Sequence, residues 1–292
     1  MVAPLLCSFH KSKNLILFLI YCKIYLYQAI QWQIKNPKSN KNLKYENRLH
    51  CYYKSGNAPW RLRMITSLIN TKKYGKLNWQ IDDKNIYREF SASKEATEWG
   101  MSCYKSWADS YKKTCVLAKN FVQGNLVDTP IECYCGYSFK QINTFLRHGS
   151  EDESNSYKEL SDILAIALCS APRIPLNLVV YRLVCPEFIK ELIEKNKSNV
   201  PIPMQEKGFM STSLLKAIVN SEEPYASAND LLKIYVDENS IGVYVNSVTW
   251  RNEQEFLFPP NGYLALVKYP YQDASCQKTV YECRLLTFDN SI

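Results

Sequence analysis

The spacing of apolar residues changes from helical to strand-like near Pro172. Before that point, three segments repeat apolar side chains every three or four positions: one that begins at Lys94, then Ser138–Arg147, then Tyr157–Ala171. Pro172 ends the third segment, because proline lacks the amide hydrogen that continues a helix. We therefore predict helices in the first part of the folded chain.

Short apolar runs after Pro172 predict strands. The strongest is Leu178–Val184, which is rich in the β-branched and aromatic residues that strands favour. The other predicted strands are Gly208–Ser211, Leu231–Val236, Gly242–Val245, Glu255–Phe258, Tyr263–Tyr269 and Thr279–Leu286. Helices followed by a series of strands indicate the α+β class, with a helical N-terminal part packed on the sheet.

The first 87 residues differ in composition from the rest. The apolar run Leu15–Cys22 follows Lys11 and Lys13, as in a signal peptide, and is shorter than the roughly 20 residues of a membrane span. Residues 1–30 are therefore either a signal or leader segment or an uncleaved tail. Residues 31–87 are rich in Lys and Asn and are predicted to be a basic linker or extension. The folded domain is predicted to cover residues 88–292.

The formal net charge of +8 is concentrated in this N-terminal part. A basic segment can bind nucleic acid or an anionic membrane surface. The rest of the chain has a small excess of acidic residues and no interleaved stripe of basic and aromatic side chains. We interpret the basic segment as a solvated leader, and we expect no nucleic-acid partner.

Cysteine and histidine usage bears on metal binding. The chain has 11 Cys and only 3 His, and no two cysteines have the C-x-x-C spacing. Structural zinc sites usually combine that spacing with further Cys or His ligands. We therefore predict no metal site.

Three clusters place polar side chains in unusual positions. Arg182 lies inside the apolar strand Leu178–Val184, where a guanidinium needs a structural carboxylate or a bound phosphate. Ser211–Ser213 follows a predicted strand, where a helix cap is the alternative interpretation. Glu253 and Glu255 lie two apart, so both carboxylates lie on one face if the strand is regular there. Like charges this close indicate a cationic partner, unless they lie on an exposed strand edge.

In this order, the clusters resemble the signature of the mono-ADP-ribosyltransferase family: an aromatic-Arg strand, then Ser-Thr-Ser, then Glu-x-Glu. The resemblance covers about residues 88–287 and includes the actin-modifying clostridial toxins. Further matching stretches are Ala96–Gly100, Gly136–Tyr137, Gln141–Arg147, Lys207–Met210, Gly242–Tyr244 and Phe256–Pro259. The resemblance implies a catalytic domain at 88–292 with a mixed two-sheet β core, with NAD⁺ as its substrate and without a metal.

The resemblance also implies a role for each candidate residue. The residues expected to hold NAD⁺ are Tyr181, Arg182, Arg147, Lys233, Ser211, Thr212 and Ser213. Glu255 is expected to stabilise the positive ribose, Ser211 to orient Glu255, and Glu253 to accept the proton of an incoming arginine. Trp250 and Arg251 are expected on a turn that meets the target protein, with ordinary loop residues as the alternative.

The implied reaction transfers ADP-ribose from NAD⁺ to an arginine of a target protein, and actin is the acceptor that the family suggests. Secretion or delivery into a host cell, with a separate translocation component, is implied in the same way. Two positions depart from the family: Leu183 stands where several relatives carry a second Arg, and Lys233 stands where others carry Arg. Since lysine holds a phosphate only as a point charge, weaker NAD⁺ binding is expected.

Two other functions remain open from the sequence. An NAD⁺ glycohydrolase would pass the ribosyl group to water, and it has no need of Glu253. A non-catalytic binding module of a toxin complex would share the fold, but such copies commonly lose the signature residues that this chain keeps. We therefore predict an NAD⁺-dependent protein-arginine ADP-ribosyltransferase.

Overall fold

A computed structural model of the protein describes residues 60–119, 129–149, 156–198, 200–220, 227–249 and 253–286. The chain divides into two compact units, Met1–Ile65 and Thr66–Ile292. Of the first unit only the beginning of a helix is described, and the second unit contains the whole sheet. The predicted leader at 1–30 and residues 31–59 of the predicted linker lie outside the described residues.

Helices precede the sheet along the chain. They are α1 (Trp60–Tyr74), α2 (Ser93–Lys119), α3 (Pro130–Cys133), α4 (Phe139–His148), α5 (Ser156–Cys169) and, after the first strand, α6 (Pro186–Asn196). A π-helical segment, Tyr134–Ser138, joins α3 to α4, so the chain is helical from Pro130 to His148. Within the described ranges, no helix is both long and apolar enough to cross a membrane.

The strands form one mixed sheet of nine strands. They are β1 (Leu178–Val184), β2 (Met204–Glu206), β3 (Met210–Ser213), β4 (Asp230–Val236), β5 (Val243–Tyr244), β6 (Glu255–Phe258), β7 (Gly262–Leu266), β8 (Tyr271–Asp273) and β9 (Lys278–Leu286). Their order is β2-β7-β9-β4-β1-β3-β6-β5, and β8 is added against β9. The β4–β9 pair is parallel, and the other pairs are antiparallel.

The sheet has two parts that meet at a narrow join. β1 pairs with β4 along its whole length, but it pairs with β3 only where Tyr181 lies opposite Ser213. One part therefore holds β2, β7, β9, β4 and β1, and the other holds β3, β6 and β5. The predicted α+β class is confirmed, and the two β layers expected from the sequence are joined into one hydrogen-bonded sheet.

Most predicted elements lie close to their predicted bounds. Leu178–Val184 and Glu255–Phe258 are strands over those residues, and α2 begins at Ser93, one residue before the predicted start. The single strand predicted at Tyr263–Tyr269 ends at Leu266 instead. The prediction omitted α6, although Pro186 at its first turn and the apolar residues behind it are typical of a helix start.

Residues before the predicted boundary at 88 belong to the compact unit, which begins at Thr66. The side-chain amide of Asn196 donates to the carbonyl of Tyr74 at 2.5 Å. Tyr87 packs edge-on against Tyr235 of β4, with ring centroids 5.1 Å apart. This part of the chain therefore contributes to the packing of the sheet rather than leading up to it.

Helix α2 packs on β6 through an aromatic cluster. Trp99 and Tyr104 both pack against Phe256, with ring centroids 6.1 and 5.8 Å from it, and they also contact each other; all three are buried. Gly100 lets the helix approach closely, because a Cβ atom there would lie 2.3 Å from the ring of Tyr244. The aromatic contacts fix α2 and β6 relative to each other. The first residue of β6 is Glu255, one of the candidate site residues.

We predict that Gly100→Ala destabilises the fold by about 1–3 kcal/mol, since the buried Tyr244 ring cannot move away from the added methyl group. Chemical denaturation measures this loss. Gly136→Ala is the matched control, because a Cβ at Gly136 meets nothing within 4 Å. Equal stability of the two variants would show that the approach of α2 to Tyr244 is not tight.

Candidate active site

A cleft of about 1120 Å³ opens where β1 and β3 meet. Its walls come from both parts of the sheet, from the loop before β6 and from the helical segment at Pro130–His148. Among the lining residues are Tyr134, Asn143, Arg182, Ser211, Thr212, Ser213, Glu253, Gln254 and Glu255. The three clusters singled out in the sequence therefore meet in one cavity, although about 70 residues separate the first from the last.

The pairing of β3 with β6 brings Ser211 and Glu255 together. Ser213 lies opposite Glu255 in the register, which places Ser211 at the diagonal position. The Ser211 hydroxyl donates to Glu255 Oε1 at 2.5 Å, and Glu255 is only 6% exposed. A short hydrogen bond to a buried carboxylate restricts its rotamer, and this pair is the one that the family resemblance implies.

Glu253 lies outside the strand. β6 begins at Glu255, and Gln254 has a left-handed backbone with φ of 52°. The regular strand that would put both carboxylates on one face by alternation is therefore not present. Glu253 is exposed and still lines the cleft beside Glu255, because the turn at Gln254 redirects the chain.

The other two serine-threonine positions hold the backbone around the site. The Thr212 hydroxyl donates to the carbonyl of Phe256 at 2.8 Å, in the core. The Ser213 hydroxyl lies 3.4 Å from the carbonyl of Glu253 and accepts the amide of Leu215 at 3.1 Å. Both side chains thus join β3 to the loop and strand that carry the glutamates.

Arg182 lies between the cleft and a buried carboxylate. Its Nη2 is 3.8 Å from Glu206 Oε2, and Nη1 is buried without a hydrogen-bond partner among the described residues. Burial lowers the pKa of the Arg182 guanidinium, and the Glu206 carboxylate opposes that shift. Since arginine keeps its proton at neutral pH, Arg182 places a positive charge in the wall of the cleft.

Glu206 also binds Arg147. Arg147 Nε and Nη2 donate to the two oxygens of Glu206 at 2.9 and 3.1 Å, and the amide of Gly208 donates to Oε1 at 2.9 Å. Arg147, expected to hold NAD⁺, is thus directed at Glu206 and is not among the residues that line the cleft. One carboxylate, 3% exposed, serves two guanidinium groups.

Asn143 anchors the chain that leads into β3. Its side-chain oxygen accepts the amide of Phe209 at 2.8 Å, and its nitrogen donates to the carbonyl of Phe209 and to the Tyr134 hydroxyl. Burial raises the pKa of Tyr134, so the hydroxyl stays neutral. Neither Asn143 nor Glu206 was among the site residues predicted from the sequence. Asn143 and Arg147 lie one helical turn apart and so share a helix face. That spacing was the sequence feature that could have indicated a role for Asn143.

Tyr181 and Lys233 lie on the other face of the sheet. They face each other across β1 and β4, whereas Arg182, the next residue, points to the opposite face. Lys233 Nζ donates to Glu89 Oε2 at 2.6 Å, and the Tyr181 hydroxyl donates to the other oxygen of Glu89. Neither side chain lines the cleft with Arg182. Trp250 and Arg251 lie outside the described residues.

Comparisons with known proteins give a consistent result. The family model described as ADP-ribosyltransferase exoenzyme matches residues 96–278. Among solved structures, the ADP-ribosylating toxin BECa of a Clostridium perfringens binary enterotoxin, crystallised with NADH, is similar with a TM-score of 0.52 and 20% identity. That match covers 68% of this chain and 50% of the other, so this chain spans about half the length of that relative.

Two further structures are similar at the same level. C3stau2 of Staphylococcus aureus, solved with NAD, has a TM-score of 0.50 and 20% identity, over 69% of this chain and 99% of that one. The enzymatic component C2-I of the Clostridium botulinum C2 toxin has a TM-score of 0.50 and 15% identity, over 69% and 49%. At these identities the structures show a common fold. A search of curated proteins gave no match.

We predict that Glu206→Gln lowers the free energy of unfolding by about 2–3 kcal/mol, because Arg147 and Arg182 keep their charges and lose their carboxylate. The loss should be below the roughly 3–5 kcal/mol of a fully buried pair, since the Arg147 side chain is 34% exposed. Urea unfolding measures it. Asp162→Asn, which breaks the exposed pair with Lys158, is the control and should leave the free energy of unfolding nearly unchanged. Equal losses in both variants would contradict a structural role for Glu206.

Proposed function

The chain belongs to the ADP-ribosyltransferase exoenzyme family, and we propose that it transfers ADP-ribose from NAD⁺ to an arginine side chain of another protein, releasing nicotinamide. The observation that carries this proposal is the buried Glu255 carboxylate, fixed by Ser211 at 2.5 Å in a cleft that also contains Arg182 and Glu253. A cationic transition state needs a fixed negative group, and an anionic substrate needs a fixed positive group.

Arg182 binds the pyrophosphate of NAD⁺ in this proposal. Arg182 lines the cleft, and a guanidinium suits bidentate contact with phosphate. Glu206 holds the other side of the guanidinium, so the arginine does not have to be ordered on binding. Lys233 does not assist in this proposal, because it pairs with Glu89 on the other face.

Glu255 stabilises the bond-breaking step. The glycosidic C–N bond breaks, its electron pair leaves with neutral nicotinamide, and positive charge develops on the ribose. The Glu255 carboxylate accepts a hydrogen bond from the 2′-hydroxyl and opposes this charge, so its effect is largest in the transition state. Glycoside hydrolases stabilise a similar oxocarbenium-like state with a carboxylate.

Glu253 serves the acceptor. A guanidinium keeps its proton at neutral pH and cannot attack until the proton is removed. Glu253 is exposed at the cleft, where it can orient the incoming arginine and accept that proton as the new C–N bond forms. The products are ADP-ribosylated arginine, nicotinamide and one proton.

The target is a host protein with an accessible arginine, and the resemblance to actin-modifying toxins makes actin the first acceptor to test. Two of the similar structures are enzymatic parts of binary toxins, which supports secretion and a separate delivery component for this chain. Within the described residues no group of His, Cys, Asp and Glu is arranged to hold a metal ion, and no step of the proposed reaction uses one.

Replacing Glu255 by Gln should keep the shape of the site and remove its charge. We expect transfer and NAD⁺ hydrolysis both to fall by at least about 10²-fold, the usual loss for one preorganised electrostatic group. NAD⁺ affinity, measured by calorimetric titration, should change little because Arg182 is intact. Nicotinamide release within a few-fold of the wild-type rate would overturn the role of Glu255.

Glu253→Gln should separate transfer from hydrolysis. Labelling of the acceptor protein should be lost, since the guanidinium has no base, while slow release of nicotinamide to water should continue. Both products are followed in one reaction with labelled NAD⁺. A glycohydrolase would keep its full rate in this variant, and a binding module would have no rate to lose. If both products fall to the level of Glu255→Gln, the two carboxylates act as one coupled site instead.

A further inference from the structure

Gln254 lies between the two glutamates of the candidate site and is held at several points. It is 2% exposed, and its backbone is left-handed with φ of 52°. The Tyr244 hydroxyl donates to its side-chain oxygen at 2.8 Å, and its side-chain nitrogen donates to Thr97 Oγ1 at 2.9 Å. Its carbonyl accepts the amide of Leu214 at 2.9 Å. The residue therefore joins β5, α2 and the end of β3.

The left-handed backbone explains why these contacts matter. Residues other than Gly, Asn and Asp adopt a positive φ at an energetic cost, because Cβ approaches the neighbouring carbonyl. Hydrogen bonds to Tyr244 and Thr97 offset that cost at Gln254. Glycine would adopt the same φ freely, but it would have no side chain to reach either partner.

The two neighbours of Gln254 are held differently. Glu255 is part of β6, accepts the Ser211 hydroxyl, and donates its amide to Asn246 Oδ1 at 3.3 Å. Glu253 lies before the strand and is exposed; its carbonyl is 3.4 Å from the Ser213 hydroxyl, and its direction follows from the turn at Gln254. A change at Gln254 should therefore move Glu253 more than Glu255.

We propose that Gln254 is a positioning residue that places Glu253 beside Glu255 and so decides how ADP-ribose divides between a protein acceptor and water. This inference rests on the proposed function, because it takes Glu253 as the group that serves the arginine. A misplacement of about 1 Å in a reacting group can change a rate by about 10²-fold. In the proposed function, transfer depends on Glu253 and hydrolysis does not. The ratio of transfer to hydrolysis therefore reports on the position of Glu253.

The test compares Gln254→Gly with Gln254→Asn. Both residues accept a positive φ, and neither keeps the full reach to Tyr244 and Thr97. We expect the ratio of protein-linked to free ADP-ribose to fall by about tenfold in both variants. Thr97→Val removes one of the hydrogen bonds without altering the loop, and it should give a smaller fall of the same kind.

A second measurement follows the backbone directly. Hydrogen exchange at the amide of Leu214, which donates to the carbonyl of Gln254, should become at least about tenfold faster in Gln254→Gly, because the turn loosens. Asn261→Gly is the control: Asn261 also has a positive φ, of 66°, and does not line the cleft. It should change neither the exchange of the Leu214 amide nor the product ratio.

The outcomes separate this inference from the proposed function. Unchanged exchange, or a product ratio equal to that of the wild type while Glu253→Gln shifts it, overturns the role of Gln254 and leaves the proposed function standing. A purely structural role would lower both products together and leave the ratio unchanged. If Glu253→Gln itself leaves the ratio unchanged, the proposed function fails, and the inference fails with it.

Discussion

The pairing of β3 with β6 is the constraint on which the candidate site depends. It puts the Ser211 hydroxyl against Glu255 and sends the Thr212 hydroxyl to the carbonyl of Phe256. Phe256 packs in turn against Trp99 of α2. The strand that carries the buried carboxylate is therefore held by the aromatic core on one face, so the site is built on a rigid element rather than on a free loop.

The alternation of side chains along β1 separates two kinds of chemistry. Arg182 faces the cleft and shares Glu206 with Arg147, whereas Tyr181 faces away and bonds to Glu89 together with Lys233. On the face away from the cleft, Glu89 is paired with the charge of Lys233 and with the hydroxyl of Tyr181. On the cleft side, one buried nitrogen of the Arg182 guanidinium has no hydrogen-bond partner among the described residues. The same strand thus forms ion pairs and hydrogen bonds on one face and lines the cleft on the other.

The sequence predicted the local features and missed the long-range ones. Leu178–Val184 and Glu255–Phe258 were recognisable because their apolar runs are short and bounded, and the signature residues were recognisable by their order. The placement of Lys233 away from Arg182 depends on the register of β1 with β4, which no local pattern reveals. The left-handed turn at Gln254 and the shared carboxylate of Glu206 depend on partners far along the chain, so sequence spacing could not indicate them.

The most direct test of the account is to incubate the protein with labelled NAD⁺ and a host-cell lysate, and to locate the label by mass spectrometry. We expect nicotinamide release together with ADP-ribose attached to an arginine side chain of a lysate protein, and loss of the attached label when Glu253 is replaced. ADP-ribose found only free in solution would contradict arginine transfer and identify a glycohydrolase. The absence of any turnover would contradict catalysis by this cleft.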